Sequence, residues 1–209
     1  MCQKGITPMM KDNELHEIRM QIQDGIILRQ EILSEKIYIE KIKTMANRIV
    51  DVYQKGNALL LCGNGGSAGD AQHLAGEMVA RFKMERKALP ALALNTNSSI
   101  VTAIGNDYEY NIIFERQVEA FGHNGDILIA ISTSGNSESV VRAMQKAKSM
   151  HMCVIALLGK DGGRCRELAD ISIVVPSWDT PRIQEIHIMI GHIICDLVEK
   201  KMFGLKENI

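Results

Sequence analysis

Residues 58–67 read Ala58-Leu59-Leu60-Leu61-Cys62-Gly63-Asn64-Gly65-Gly66-Ser67. A short, continuous apolar run of this kind reads as a strand buried on both faces, and the glycines after it as a turn into a helix. Four more such runs follow: ALALN (91–95), DILIAIS (126–132), MCVIALLG (152–159) and ISIVVP (171–176). Helical segments separate them at 67–82, 109–121, 137–150 and 163–169, and a last helix spans about 182–203. Strands alternating with helices predict an α/β fold, a doubly wound domain on a five-stranded parallel sheet.

Two helical patterns precede the first strand. Leu15, Ile18, Ile22, Ile26 and Leu33 keep mostly to one face of a helix that starts near Asn13. Ile42, Met45, Ala46, Ile49, Val52 and Tyr53 form the stripe of a second, with Ser34 as its N-cap and Gly56 at its end. Such N-terminal helices are suited either to capping the fold or to packing on a partner chain. Residues 1–12 lack periodicity and are expected to form a flexible extension. No linker, repeat or low-complexity segment interrupts residues 13–209, which are read as one domain.

Of the 209 residues, 46% are hydrophobic and 23% charged, which fits a folded core. Aromatic residues are 4%, against 12 Met, so that core should be aliphatic. A net charge of −1 gives no electrostatic footprint for nucleic acid or an anionic membrane. A small anion stays open, because backbone amides and hydroxyls bind one. The cysteines (Cys2, Cys62, Cys153, Cys165, Cys195) are widely spaced and include no CxxC, so they read as reduced thiols of a cytoplasmic protein. No apolar run approaches the ~18 residues of a membrane span, and the N-terminus lacks the apolar centre of a signal peptide.

Ligands of open α/β sheets gather at the carboxyl ends of the strands. Two of those ends are distinctive: Gly63–Ser67, and Ser132-Thr133-Ser134-Gly135-Asn136-Ser137. Each puts small residues at a helix N-terminus, where free N–H groups and the helix dipole favour an anion. Ser67 and Ser137 are also open to a plainer reading as N-caps, with Asp70 completing a capping-box-like pair. Two such loops on one sheet favour a phosphate pocket. GNGGSA (63–68) also fits the dinucleotide pattern GxGxxA, but the acid expected ~20 residues on is absent, so a nicotinamide cofactor ranks behind a sugar phosphate. Gly159-Lys160 is no P-loop, since Val154 stands where its first glycine belongs.

His73, Glu77 and Arg81 fall one helical turn apart, which makes His73 and Glu77 neighbours on one face. The last helix carries Gln184, Glu185, His187 and His192. A histidine and a carboxylate at this spacing either share a metal or form a surface pair of little consequence. His187 is open to being solvated, and His192 to being a satisfied core histidine.

These motifs converge on a known family. GNGGSAGDAQHLAGE (63–77), AIGNDY (103–108), ISTSGNS (131–137) and RIQEIH (182–187), with a further histidine at His192, resemble the phosphoheptose isomerases of the SIS (sugar isomerase) fold. The resemblance spans roughly residues 30–203, with the motifs in the family's order. It implies a homotetramer that interconverts sedoheptulose 7-phosphate and D-glycero-D-manno-heptose 7-phosphate, opening the bacterial route to nucleotide-activated heptose for lipopolysaccharide or capsule. By position, Glu77 matches the family's catalytic base and His192 its catalytic acid. His73, Glu77, Gln184 and His192 match the ligands of members that bind zinc. Asn64, Gly65, Gly66, Glu77, Asn106, Asp107, Ser132, Thr133, Ser134, Ser137 and Gln184 match substrate-contacting positions. The N-terminal dozen residues look longer than usual, and Ser177-Trp178-Asp179-Thr180-Pro181 lies where members differ, so it bears on substrate choice.

The residue types suit that chemistry. Moving a proton between C1 and C2 through a cis-enediol needs a base at carbon and an acid at oxygen. One geometric point stands against a simple site. Gln184 and His192 are eight residues apart. In one helix that separates them by roughly 12 Å along the axis, too far for both to reach one ion. Either the helix begins later than 182, or the ligands come from different protomers, and a site at a subunit interface is the expectation. Two alternatives stand beside the isomerase. One is a non-catalytic binding protein, like SIS relatives resembling the bacterial replication-initiator-associating protein, which lack the acid and histidine found here at Glu77 and His192. The other is an isomerase of a pentose or hexose phosphate.

Overall fold

The apolar runs become the strands of one all-parallel sheet in the computed structural model, which describes residues 8–204. The strands are β1 (Leu59–Gly63), β2 (Ala91–Ala93), β3 (Ile127–Ser132), β4 (Cys153–Gly159) and β5 (Ile171–Val175), in the order β2-β1-β3-β4-β5. Leu61 lies opposite Ile129, Ile129 opposite Ile155, and Leu157 opposite Ile173. Alternation sends Leu59, Leu61, Ile129 and Leu157 to one face and Leu60, Cys62, Leu128 and Ala156 to the other, and each face has its own buried core. Both faces are covered, which is why the runs are apolar without a break.

On one face pack α1 (Pro8–Ser34), α2 (Lys36–Gln54), α3 (Gly66–Val79) and, out of sequence, the last helix α8 (Thr180–Phe203). On the other pack α4 (Ser98–Asp107), α5 (Glu115–Phe121), α6 (Glu138–Ser149) and α7 (Gly163–Leu168). The stripe expected of α2 is buried from Ile42 to Tyr53. The stripe expected of α1 is not. Leu15, Ile18, Ile22, Ile26 and Leu33 face outward, with Leu33 73% exposed, while Leu28 and Ile32 make the contact with the core. Ser34 does not cap α2. Its Oγ donates to the Glu31 carbonyl at 3.0 Å and so closes α1, and Glu35 takes the N-cap position. The first helix already runs at Pro8, earlier than Asn13, and the rest of the expected extension, residues 1–7, lies outside the described residues.

Three boundaries differ from the sequence reading for local reasons. Strand β2 stops at Ala93, because Thr96 folds back and donates from both its N–H and its Oγ1 to the Ala93 carbonyl. Helix α4 was not expected. It buries Ile104 alone, so it has no stripe, and it is nucleated by Asn97, whose side chain accepts from the Ile100 N–H at 3.1 Å. The segment expected as one helix over 109–121 is a 3-10 turn at Tyr110–Ile112 followed by α5. The described cysteines, Cys62, Cys153, Cys165 and Cys195, are unpaired. Among the described residues no helix is long and apolar enough to cross a membrane.

The chain leaves β1 for one edge of the sheet and β3 for the other. Their carboxyl ends therefore flank the topological switch point, where the crevice of such a sheet opens. The loops Gly63–Ser67 and Ser132–Ser137 both leave the sheet there.

Candidate active site

The loop after β1 is shaped by contact with the last helix. A Cβ on Gly66 would sit inside the Gln184 amide, so glycine alone lets the start of α3 meet that side chain. Gly65 holds the N-cap position and offers no side-chain bond, which leaves the first N–H groups of α3 free for a ligand. Asn64 is held at both ends of its amide: Tyr110 Oη donates to its Oδ1 at 2.8 Å, and its Nδ2 donates to Ser139 Oγ at 3.0 Å.

The loop after β3 is braced by its own hydroxyls. Ser132 Oγ accepts from the Gly135 N–H at 3.1 Å and donates to Ser137 Oγ at 3.4 Å. Ser134 Oγ accepts from the Asn136 N–H at 3.1 Å. Asn136 Oδ1 in turn accepts from the Arg164 N–H at 3.1 Å, pinning the loop to α7. Ser137 occupies the N-cap of α6 but makes no side-chain cap bond. Its hydroxyl therefore satisfies none of the first N–H groups of α6.

A cluster of side chains gathers where α3 crosses α8. His73 Nε2 lies 2.8 Å from His192 Nε2 and 3.3 Å from Glu77 Oε1. Donor atoms of all three residues fall within 4.8 Å of one another. The crossing is close because Gly191 has no side chain: a Cβ there would meet Leu74 Cδ2 at 2.5 Å. Leu74 and Gly191 adjoin His73 and His192 in sequence, so the close approach brings the two imidazoles together.

The SIS domain model matches residues 28–159. The phosphoheptose isomerase of Clostridium acetobutylicum is 54% identical over 189 residues, which are 90% of this chain and 96% of that protein. The solved phosphoheptose isomerase GmhA from Neisseria gonorrhoeae superposes with a TM-score of 0.84 at 40% identity, over 89% of this chain and 98% of that one. The solved enzyme from Francisella tularensis gives 0.86 at 36% identity, over 90% and 98%. The chain belongs to the phosphoheptose isomerases of the SIS-domain family.

Against the pattern expected of a phosphoheptose isomerase, the residues fall into three groups. His73, Glu77 and His192 meet in one protomer. Asn64, Gly65, Gly66, Ser132, Thr133, Ser134 and Ser137 line the two loops, and Gln184 sits with the first of them rather than with His192. Because α8 begins at Thr180, Gln184 and His192 share one continuous helix, which removes the alternative of a later helix start. Asn106 and Asp107 lie at the exposed end of α4, where Asn106 Nδ2 donates to Asp107 Oδ1 at 2.8 Å.

Four plainer readings are corrected. Ser67 is buried inside α3 and is not its cap. Asp70 forms no capping box: its Oδ2 is buried without a partner, and burial pushes its carboxyl up to about 6, with His73 opposing. His187 is not solvated but fully buried, with Nε2 2.9 Å from the Leu158 carbonyl. His192 is no core histidine, since it faces the cluster half-buried. Tyr110, Ser139 and Phe82 were not singled out in the sequence. Their contacts, two through Asn64 and one through His192, follow no spacing rule.

Proposed function

We propose that the chain is an aldose–ketose isomerase that converts sedoheptulose 7-phosphate to D-glycero-D-manno-heptose 7-phosphate, the first step towards nucleotide-activated heptose. The observation that carries this reading is the meeting of Glu77 and His192 around His73, beside two anion-ready loops. Glu77 takes the proton from one carbon of the C1–C2 pair and returns it to the other, through a cis-enediol. His192 donates to, and recovers a proton from, the adjoining oxygens. The loops hold the phosphate through main-chain N–H groups and the hydroxyls of Ser134 and Ser137, which positions the far end of the sugar. Neutral and hydroxyl donors suffice for that, in keeping with the net charge of −1.

The donor set of His73, Glu77 and His192, two imidazole nitrogens and a carboxylate oxygen, fits a zinc ion. A bound ion would supply Lewis acidity to the substrate oxygens, and Glu77 and His192 would then move protons only through the oxygen and ring nitrogen they leave off the ion. The fourth expected ligand, Gln184, would reach that set only from a neighbouring protomer, given its separation from His192 along α8. This supports a homotetramer with sites at subunit interfaces, as does the outward apolar face of α1. Light scattering is expected to give the tetramer mass, and a fully active monomer would overturn the interface site.

The test of function is isomerisation of sedoheptulose 7-phosphate followed by NMR, with the chain as purified, after chelation, and after zinc is returned. Conversion lost on chelation and restored by zinc supports both the reaction and the metal. No conversion under any condition would point to another sugar phosphate or to the protein-binding reading.

A further inference from the structure

The turn after α3 holds a buried ion pair that neither loop nor cluster uses. Arg86 Nε lies 3.0 Å from Glu199 Oε1, and each side chain is 2% exposed. Burying two charges carries a desolvation penalty that only further hydrogen bonds offset. Here those bonds go to the backbone around the site. The Glu199 carboxylate accepts from the N–H groups of Phe82 at 3.0 Å, Lys83 at 2.7 Å and Met84 at 2.8 Å. Arg86 donates to the carbonyls of Glu77 and Met78, both at 2.7 Å. These are last-turn carbonyls that α3 leaves without helical partners.

One buried node thus fixes both the backbone of Glu77 and the path of the chain at Phe82. The Phe82 ring lies across the His192 imidazole, with centroids 5.6 Å apart and planes at 29°. His73 meets the same imidazole edge-on, at 5.0 Å and 68°. Glu199 stands two turns beyond His192 on one face of α8, so the helix that carries the imidazole also carries the anchor of the ring that packs on it.

We infer that Phe82 is a positioning residue for His192, set in place by the Arg86–Glu199 pair. Its effect on rate rests on the isomerase reading; its effect on the imidazole does not. Phe82→Ala and Phe82→Tyr test it by three measurements: kcat and KM for sedoheptulose 7-phosphate, the NMR signals of the His192 ring protons, and Tm. Phe82→Ala is expected to lower kcat about tenfold while KM stays within about twofold, because a misplaced catalytic group affects the transition state. The His192 ring signals should move beyond the ring-current change that loss of the phenyl alone produces, with weaker Overhauser contacts to His73. Phe82→Tyr should restore both.

A Phe82→Ala variant with unchanged kcat and His192 signals that move by no more than the lost ring current, whatever its Tm, would overturn the inference and leave Phe82 as packing. If the wild-type chain does not isomerise, the functional reading fails, and the His192 signals alone decide the positioning. Glu199→Gln removes the anchor charge and should move the same signals. If it folds and leaves them in place, the ion pair has no part in positioning. If it does not fold, the Phe82 variants, at a half-exposed position, decide.

Discussion

The two halves of the site are built in opposite ways. The proposed anion cradle is local: its donors would come from two stretches, Gly63–Ser67 and Ser132–Ser137, in which neighbours in sequence are neighbours in space. Many are main-chain N–H groups, so no single side chain dominates. The cluster proposed to move the protons is not local: His73 and His192 stand 119 residues apart and meet through the crossing of two helices. The contrast predicts all-or-none losses in the cluster and graded losses in the cradle.

The largest effect is expected at Glu77. Glu77→Gln keeps the shape of the side chain but removes the proposed base, so kcat should fall by about 10³-fold. Tm should barely change, because the carboxylate's one polar partner among the described residues is His73, at 3.3 Å. Turnover near wild type would break the contrast, since the cluster would then tolerate loss of its central member.

How far each half was legible in the sequence follows from the same difference. The two loops could be read because a strand, a turn of small residues and a helix start leave a contiguous signature. The strands could be read because burial on both faces makes them apolar throughout. Within the cluster, the His73–Glu77 pair is visible as a one-turn spacing, but its meeting with His192 is set by Gly191 against Leu74, which no spacing records. Arg86 and Glu199 escaped because most of their bonds run to main-chain groups, which impose no residue pattern, and Phe82 because its ring meets His192 from a distant part of the chain. The apolar stripe of α1 could be read, but periodicity says only that a face seeks cover. In this chain that face points away from the core.

A middle-sized effect is expected at His187, which lies on α8 between Gln184 and His192. Burial pushes its imidazole down from 6.5 to about 4, with the bond to the Leu158 carbonyl opposing. The unfolded chain binds this proton below about 6.5, and the folded chain refuses it until about 4. The resulting stability is complete above the first value and is lost as the pH falls towards the second, by up to roughly 3 kcal/mol. Asp70, raised from 3.8 to about 6, acts with the opposite sign, since the folded chain holds that proton where the unfolded chain releases it. Comparing His187→Leu with the wild type isolates the imidazole: between pH 4 and 7, Tm should rise less steeply with pH in the variant than in the wild type, or fall where the wild type is flat. An unchanged slope would show that the helix joining the two halves opens readily enough to hydrate the imidazole.

The smallest effects are expected in the cradle, where the two serines differ in a way that sharpens the contrast. Ser134 Oγ accepts from the Asn136 N–H, so part of its role is to brace the loop. Ser137 Oγ makes no cap bond to α6, and its one hydrogen bond among the described residues is the long one, 3.4 Å, from Ser132. A hydrogen bond of this class is worth roughly 1 kcal/mol, which is about fivefold in affinity. Ser137→Ala should therefore raise KM for sedoheptulose 7-phosphate by about that factor and leave Tm alone. Ser134→Ala should raise KM similarly and lower Tm slightly. In both, kcat should hold, because contacts to the phosphate are made equally in the ground and transition states. If KM is unchanged in both variants while Tm falls, the serines are loop braces only, and the anion is held by main-chain N–H groups alone.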